Sequence, residues 1–185
     1  DSHLIMTAAG NLSNDNDEST AESNARSNAG KTKMTCIPNN MEKYLTLGIG
    51  QLQFIDSFQF MSSSLDTLAG NLADSQKRIT RELTDPKLFN LVTKKGVFPY
   101  DWLDSMDRFD ESSLPHKEAF YSRLARKHIS DEEYSRAKEV WKAADCGSFM
   151  DYHNIYLKTD VTLLADVFEN FRDTAMRHYK LDPAN

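Results

Sequence analysis

Cysteine is scarce in this chain of 185 residues, and long apolar runs are missing from it. Cys36 and Cys146 are too few for a disulfide framework and form no Cys-x-x-Cys pair, which favours a reducing, intracellular setting. No apolar run approaches the length of about 18 residues that a membrane-spanning helix needs, and the N-terminus lacks a charged-then-apolar signal pattern. We therefore expect neither a membrane span nor secretion.

Positive charge is also in deficit, because the formal net charge is −6. A protein that coats nucleic acid is normally basic, so this function is disfavoured. A metal-dependent nuclease tolerates local acidity because cations neutralise its carboxylates, but its DNA-binding basic surface must then lie elsewhere. The length and the apolar content of 39% are enough for the core of one domain.

The chain divides into three regions by composition. Residues 1–9 open with a cap-like Asp or Ser and predict a short helix. Residues 10–33 are rich in Asn and Ser and nearly free of large apolar side chains, which predicts a disordered loop. Residues 34–182 alternate apolar segments with turn signals and should hold the folded part.

Strands come first in this folded part and helices follow. The runs 34–37, 44–47 and 52–56 are rich in β-forming residues, and the last two flank a glycine-containing turn typical of a hairpin. Caps and periodicity then predict helices from Ser64 toward Leu83, after Pro86, from Pro115 to Leu124, from Ser130 to near Gly147, and from Tyr152 to Tyr179. The expected fold class is α/β, helix-rich and α+β-like.

The last helix has an apolar stripe and a polar pair beside it. The stripe, at steps of four and three residues, predicts the buried face and consists of Leu157, Val161, Leu164, Phe168, Phe171 and Ala175. Tyr156 and Asp160 are four residues apart, so they share a face at the edge of this surface. A carboxylate there is costly unless a cation compensates it, and a divalent metal ion is the usual cation in a phosphate-handling site. Spacing alone favours an ordinary interpretation, a half-buried Tyr156 and a solvated Asp160, because Tyr and Asp four residues apart are a common coincidence.

The surrounding sequence resembles a known family. The run DYHNIYLKTDVTLLADVFENFR, residues 151–172, closely resembles the third exonuclease motif of family B DNA polymerases. The match is to the protein-primed branch of viruses, linear plasmids and large self-synthesising transposons. Two upstream segments also resemble that family and occur in the right order: FIDSFQFMSSSLDTL at 54–68 and KKGVFPY at 94–100. The resemblance spans roughly residues 34 to 183.

This resemblance implies a ribonuclease-H-like 3′–5′ proofreading exonuclease domain, with its first strands and their Asp-x-Glu motif upstream of this sequence. In the family, the motif's tyrosine orients the attacking water and its aspartate binds metal, and these roles fall on Tyr156 and Asp160. Asp1 matches the metal-binding aspartate that closes the second exonuclease motif. Lys95 resembles a lysine that contacts the scissile phosphate, although Lys94 is its neighbour and rival. The implied cofactor is a two-metal site for Mg²⁺ or Mn²⁺, only partly supplied by this chain.

Ser57 and Phe58 resemble the family's Ser-Leu pair that contacts the single-stranded 3′ end of DNA. Phe58 replaces leucine and could stack on a base, but the interleaving of aromatic residues around it equally suggests core. Asp56 is expected to cap a turn. His153 is expected at the surface because no second His or Cys stands at ligand spacing, and Asp166 and Glu169 are expected to be solvated.

The function implied by the resemblance is that of a DNA-directed DNA polymerase in DNA replication, of which this chain covers part of the exonuclease domain. The alternatives are an inactive mobile-element remnant and a helical protein-interaction module. The implied partners are a single-stranded DNA 3′ end, the upstream exonuclease strands and palm domain of the polymerase, and a terminal priming protein, with no membrane. The implied location is intracellular, in the nucleus or at a viral replication site. The chain starts without Met, and we expect it to be a piece of a longer protein, inactive by itself.

Overall fold

A computed structural model describes residues 4–8, 34–38 and 44–183. The chain forms two compact units, one of residues 1–62 with 180–185 and the other Ser63–Tyr179. The expected loop at residues 10–33 lies outside the described residues. The coarse fold class is confirmed, because a small antiparallel sheet is combined with predominantly helical structure.

The first unit contains a four-stranded antiparallel sheet with the strand order β1-β4-β3-β2. Its strands are β1 (Leu4–Ala8), β2 (Met34–Pro38), β3 (Tyr44–Ile49) and β4 (Leu52–Asp56). The predicted hairpin is confirmed as β3–β4, joined by Gly50 and Gln51. Gly50 has φ of 62°, which a hairpin turn needs at its first position and which glycine adopts without steric cost.

The helix expected in residues 1–9 is wrong, because Leu4–Ala8 is a strand. It pairs with β4 in a register that places Leu4 opposite Asp56 and Ala8 opposite Leu52. A helix this short gains few internal hydrogen bonds, whereas a sheet edge satisfies the same backbone groups along the whole segment. Pairing with a partner distant in sequence therefore overrides the local cap signal.

The second unit is helical. Its helices are α1 (Leu65–Gly70), α2 (Arg78–Leu83), α3 (Pro86–Val92), α4 (Asp131–Ala143) and α5 (Phe149–Tyr179), with 3₁₀ segments at Asp74–Gln76, Met106–Asp110 and Lys117–Phe120. Helix α5 packs against α1 and α2, and α3 packs against α4. The main core cluster is formed by Val92, Ala137, Val140, Phe149 and Tyr152.

The caps of two helices are confirmed. Ser64 accepts a hydrogen bond from the Thr67 backbone N–H at the start of α1. Ser130 and Glu133 form the predicted capping box of α4, in which each side chain accepts the other residue's backbone N–H. These side chains satisfy donors that the first turn of a helix leaves unpaired.

Two helix predictions are wrong in extent. Helix α1 ends at Gly70 instead of running to Leu83, because a Gly-Asn pair ends it and an extended Ala73 follows. The expected helix from Pro115 to Leu124 is only the 3₁₀ segment Lys117–Phe120, since the chain extends at Tyr121 and then turns back on itself. Helix α5 begins at Phe149, three residues before the expected start.

The predicted buried stripe of α5 is only partly right, because Phe168 is buried while Leu164, Phe171 and Ala175 are half-buried and the other two positions are exposed. Leu157 is 50% exposed and Val161 60% exposed. The buried positions on this helix are Phe149, Tyr152, Tyr156, Thr159, Thr162, Leu163, Asp166, Val167 and Phe168. The buried face of α5 therefore includes the polar residues Thr159, Thr162 and Asp166. A search for periodic apolar residues does not find such positions.

Asp166 was expected in solvent and is instead only 1% exposed. Its two carboxylate oxygens accept hydrogen bonds from the backbone N–H groups of Ile79 (2.8 Å) and Thr80 (3.0 Å), in the first turn of α2. Lys77, the residue before that helix, offers no side-chain cap of its own. Asp166 thus caps α2 from a different helix and ties the two together.

We expect Asp166→Ala to lower the free energy of unfolding by about 3 kcal/mol, because two buried N–H donors lose their acceptor. Urea unfolding followed by tryptophan fluorescence measures this, since Trp102 and Trp141 both lie in the second unit. Asp173→Ala is the matched control: Asp173 is an exposed carboxylate on the same helix, paired with Arg78, and its loss should cost less than about 1 kcal/mol. Equal unfolding midpoints for the parent and Asp166→Ala would contradict the capping role.

Candidate functional site

Tyr156 and Asp160 lie one turn apart on α5, as their spacing predicts. Tyr156 is buried and Asp160 is half-buried. The Tyr156 hydroxyl also lies 2.7 Å from the hydroxyl of Tyr100, in hydrogen-bonding distance. Burial, together with the Tyr100 hydrogen bond and the negative charge of Asp160, raises the pKa of Tyr156 far above its ordinary value. The phenol therefore keeps its proton throughout the physiological range.

The segment Lys94–Tyr100, here called the clamp turn, encloses the Tyr156 ring. The rings of Phe98 and Tyr156 have centroids 4.9 Å apart. Gly96 lies so close that a Cβ atom added to it would be 3.1 Å from Cδ2 of Tyr156. A side chain at position 96 would need the Tyr156 ring to move by a few tenths of an ångström, so Gly96 and Phe98 both restrict the position of the ring.

The clamp turn is itself held by two side chains. Arg136 of α4 donates a hydrogen bond from Nη2 to the backbone carbonyl of Lys95 at 2.6 Å. Tyr152 of α5 donates its hydroxyl proton to the carbonyl of Val97 at 2.8 Å. Burial raises the pKa of Tyr152, so this donor also stays protonated. Both carbonyls next to Gly96 are therefore fixed by neighbouring helices.

A small cavity of about 20 Å³ lies between the clamp turn, α4 and α5. Lys94, Gly96, Arg136, Tyr156 and Thr159 are among the residues that line it. This volume is enough for about one water molecule beside the Tyr156 ring.

Lys95 is half-buried within the clamp turn, and Lys94 is exposed at its start. The structure thus brings the turn that carries both lysines against Tyr156, which the sequence alone could not establish. The choice of Lys95 over Lys94 as the phosphate contact stays a prediction.

The remaining predicted site residues belong to the first unit. Ser57 is buried and Phe58 is 48% exposed, in a 3₁₀ turn after β4. Asp56 caps this turn as expected, its Oδ1 accepting from the Phe58 backbone N–H at 3.0 Å. Phe58 is therefore not a core residue of a strand, and its DNA contact stays a prediction. Asp1 lies outside the described residues.

His153 was expected at the surface but is half-buried between two aromatic rings. Its ring centroid lies 5.4 Å from that of Phe98 and 5.1 Å from that of Phe109. His153 supports the clamp turn by packing against Phe98, a role that helical spacing alone does not reveal.

Glu169 was expected in solvent and is also half-buried, with its carboxylate 3.5 Å from Arg172.

Sequence reasoning missed three residues of this arrangement: Tyr100, Arg136 and Tyr152. A signal for Tyr100 was present, because it ends the quoted clamp-turn motif. Arg136 and Tyr152 act on backbone carbonyls, and no sequence pattern marks the acceptor of such a bond.

The described residues do not complete a metal site. Among them, no group of three or more His, Cys, Asp or Glu side chains is gathered closely enough to hold an ion. Asp160 alone is placed to serve as one ligand, so the described residues do not fit a whole two-metal centre.

No helix in the described part of the chain is long and apolar enough to cross a membrane.

Comparison with protein-family models finds no matching family, and comparison with curated proteins and with solved structures finds no match either. The family assignment therefore depends on the motifs quoted from the sequence and remains a proposal.

The raised pKa values of Tyr152 and Tyr156 lead to a prediction for alkaline titration. Of the seven tyrosines, these two should stay protonated above the ordinary value of 10.0 while the chain is folded. Ultraviolet absorbance should then count at least two fewer tyrosinates in the folded than in the unfolded chain. Because the unfolded state ionises first, stability is full below pH 10 and falls above it.

A Tyr152→Phe/Tyr156→Phe double variant is the control for this titration, and it should keep the number of readily ionised tyrosines unchanged. Ionisation of all seven tyrosines near pH 10 with the helical signal intact would contradict the burial of both hydroxyls.

Proposed function

We propose that this chain is part of the ribonuclease-H-like 3′–5′ proofreading exonuclease domain of a DNA-directed DNA polymerase of family B, of the protein-primed type. The observation that carries the proposal is the buried Tyr156 hydroxyl, which lies 2.7 Å from the Tyr100 hydroxyl and one helical turn from Asp160. The Tyr156 side chain lies against the clamp turn. The resemblance implies that a lysine of this turn contacts the scissile phosphate. The motif at residues 94–100 and the motif at residues 151–172 are far apart in sequence, and they are in contact at the Tyr156 side chain.

Tyr156 acts in this proposal as an orienting group and not as a base. Its raised pKa keeps the phenol neutral, so the hydroxyl can fix the direction of an attacking water but cannot remove the water's proton. Tyr100 positions the hydroxyl, and Gly96 and Phe98 pack against the ring. Such prior fixation of an orienting group lowers the entropic cost of reaching the reactive arrangement.

Asp160 is proposed to contribute one carboxylate to a site for Mg²⁺ or Mn²⁺ that other residues complete. Divalent ions supply stabilisation of the developing charge in this kind of phosphodiester hydrolysis. Since the described residues hold only this one ligand, the remaining carboxylates are proposed to come from outside them, including the upstream Asp-x-Glu motif that the resemblance implies.

Asp160→Ala should abolish excision of a mismatched 3′ nucleotide and should also weaken Mn²⁺ binding, because the excision depends on the metal ion that Asp160 is proposed to bind. The assay needs a chain that also carries the upstream Asp-x-Glu strand, with excision and metal titration measured on the same preparation. Asp173→Ala removes an exposed carboxylate from the same helix and should leave both readouts at the parent level. Trimming at the parent rate by Asp160→Ala would show that this face of α5 is only structural.

Tyr156→Phe should lower the excision rate by about 10²- to 10⁴-fold while metal binding is kept, because only the orienting hydroxyl is lost. Single-turnover excision and Mn²⁺ titration separate the two effects. A parallel loss of metal affinity would instead assign Tyr156 to the support of Asp160, and an unchanged rate would remove it from the reaction.

A further inference from the structure

The residues Ser122–Lys127, here called the basic loop, form an ordered turn at the surface of the second unit. Ser122 and Lys127 exchange two backbone hydrogen bonds, of 3.0 and 3.3 Å, which close the loop. The Ser122 side chain accepts a further bond from the Ala125 backbone N–H at 3.1 Å. Arg126 holds a positive φ of 52°. The loop therefore has one defined shape, and its side chains project from fixed points.

The basic loop has a net positive charge, whereas the chain as a whole has a net charge of −6. The loop carries three cations, Arg123, Arg126 and Lys127, and no acidic residue. Within the described part of the chain, neither Arg126 nor Lys127 forms an ion pair, although both are exposed. Leu124, between the cations, is 95% exposed. An exposed apolar side chain followed by two unpaired cations matches a ligand with both anionic and apolar parts.

The basic loop is anchored next to the clamp turn. Arg123 donates to both carboxylate oxygens of Asp101, from its backbone N at 2.8 Å and from Nε at 2.9 Å. These hydrogen bonds lower the pKa of Asp101, so the anchor is charged at all working pH values. Asp101 directly follows Tyr100, whose hydroxyl contacts that of Tyr156. Asp101 and Tyr100, which are adjacent in the chain, thus link the basic loop to Tyr156 of the proposed site.

We propose that the basic loop binds single-stranded DNA, with Arg126 and Lys127 on neighbouring phosphates and Leu124 against a base. Arginine and lysine are the usual phosphate partners, and bases offer apolar faces that tolerate any sequence. The loop supplies the local positive surface that a nuclease with a net charge of −6 requires. This inference rests on the proposed function in taking DNA as the ligand, but the binding it describes needs neither metal nor catalysis.

The test measures binding of fluorescein-labelled oligothymidylate by anisotropy, in EDTA, across about 50 to 200 mM KCl. Each phosphate contact on a single strand contributes about 0.7 to the slope of log affinity against log salt. Arg126→Gln/Lys127→Gln should therefore reduce the slope by about 1.4. Across that salt range the parent should lose about sevenfold more affinity than the variant.

The control is Lys138→Gln/Lys142→Gln, which removes the same charge from two exposed positions on α4 and should keep the parent's slope. Leu124→Ser should weaken binding with the slope unchanged, because it removes an apolar contact and no charge. All these positions are at the surface, and circular dichroism confirms that the variants are folded.

An unchanged slope in Arg126→Gln/Lys127→Gln would overturn the proposal, as would a parent chain that does not bind oligothymidylate at the lowest salt. Polyglutamate serves as a competing ligand: loop-dependent binding of polyglutamate without loop-dependent binding of DNA would assign an acidic protein partner instead. If the chain extended by the upstream Asp-x-Glu strand excises no mismatched 3′ nucleotide while the slope change of Arg126→Gln/Lys127→Gln persists, the exonuclease function is refuted and the loop's role stands.

Discussion

Helix α5 buries polar groups along its contact face, and the second unit is organised around the partners of those groups. Tyr152 bonds the Val97 carbonyl, Tyr156 bonds Tyr100, and Asp166 bonds the first turn of α2. Each of these groups would be costly to bury without its partner, so the segments that supply the partners have few alternative positions. The helix therefore selects the conformation of two other parts of the unit, the clamp turn and the first turn of α2.

Predictions from the sequence succeeded where the signal was local. The Ser130 capping box, the hairpin at Gly50 and the existence of a long final helix all follow from residues that interact with close neighbours in the chain. They failed where a distant partner decided the outcome. Residues 4–8 form a strand because β4 pairs with them, and a hydroxyl or carboxylate on α5 is buried because a backbone group elsewhere binds it.

The same division applies to the candidate site. The four-residue spacing placed Tyr156 beside Asp160 correctly, since helix geometry alone determines it. The enclosure of the Tyr156 ring was not predictable from spacing, because it depends on Gly96 and Phe98 approaching from another segment. The charge balance indicated that a basic surface must exist, but only the folded loop shows which cations remain unpaired and where they are anchored.

The clamp turn also limits how this protein can vary. Between the Lys95 carbonyl and the Tyr100 hydroxyl, the turn is attached to α4 and α5 at three hydrogen bonds and at the close contact of Gly96 with Tyr156. With so many attachments in six residues, an inserted or deleted residue would misalign several of them at once, whereas many single replacements would disturb only one. Related chains with this site should therefore differ in the composition of the segment and keep its length.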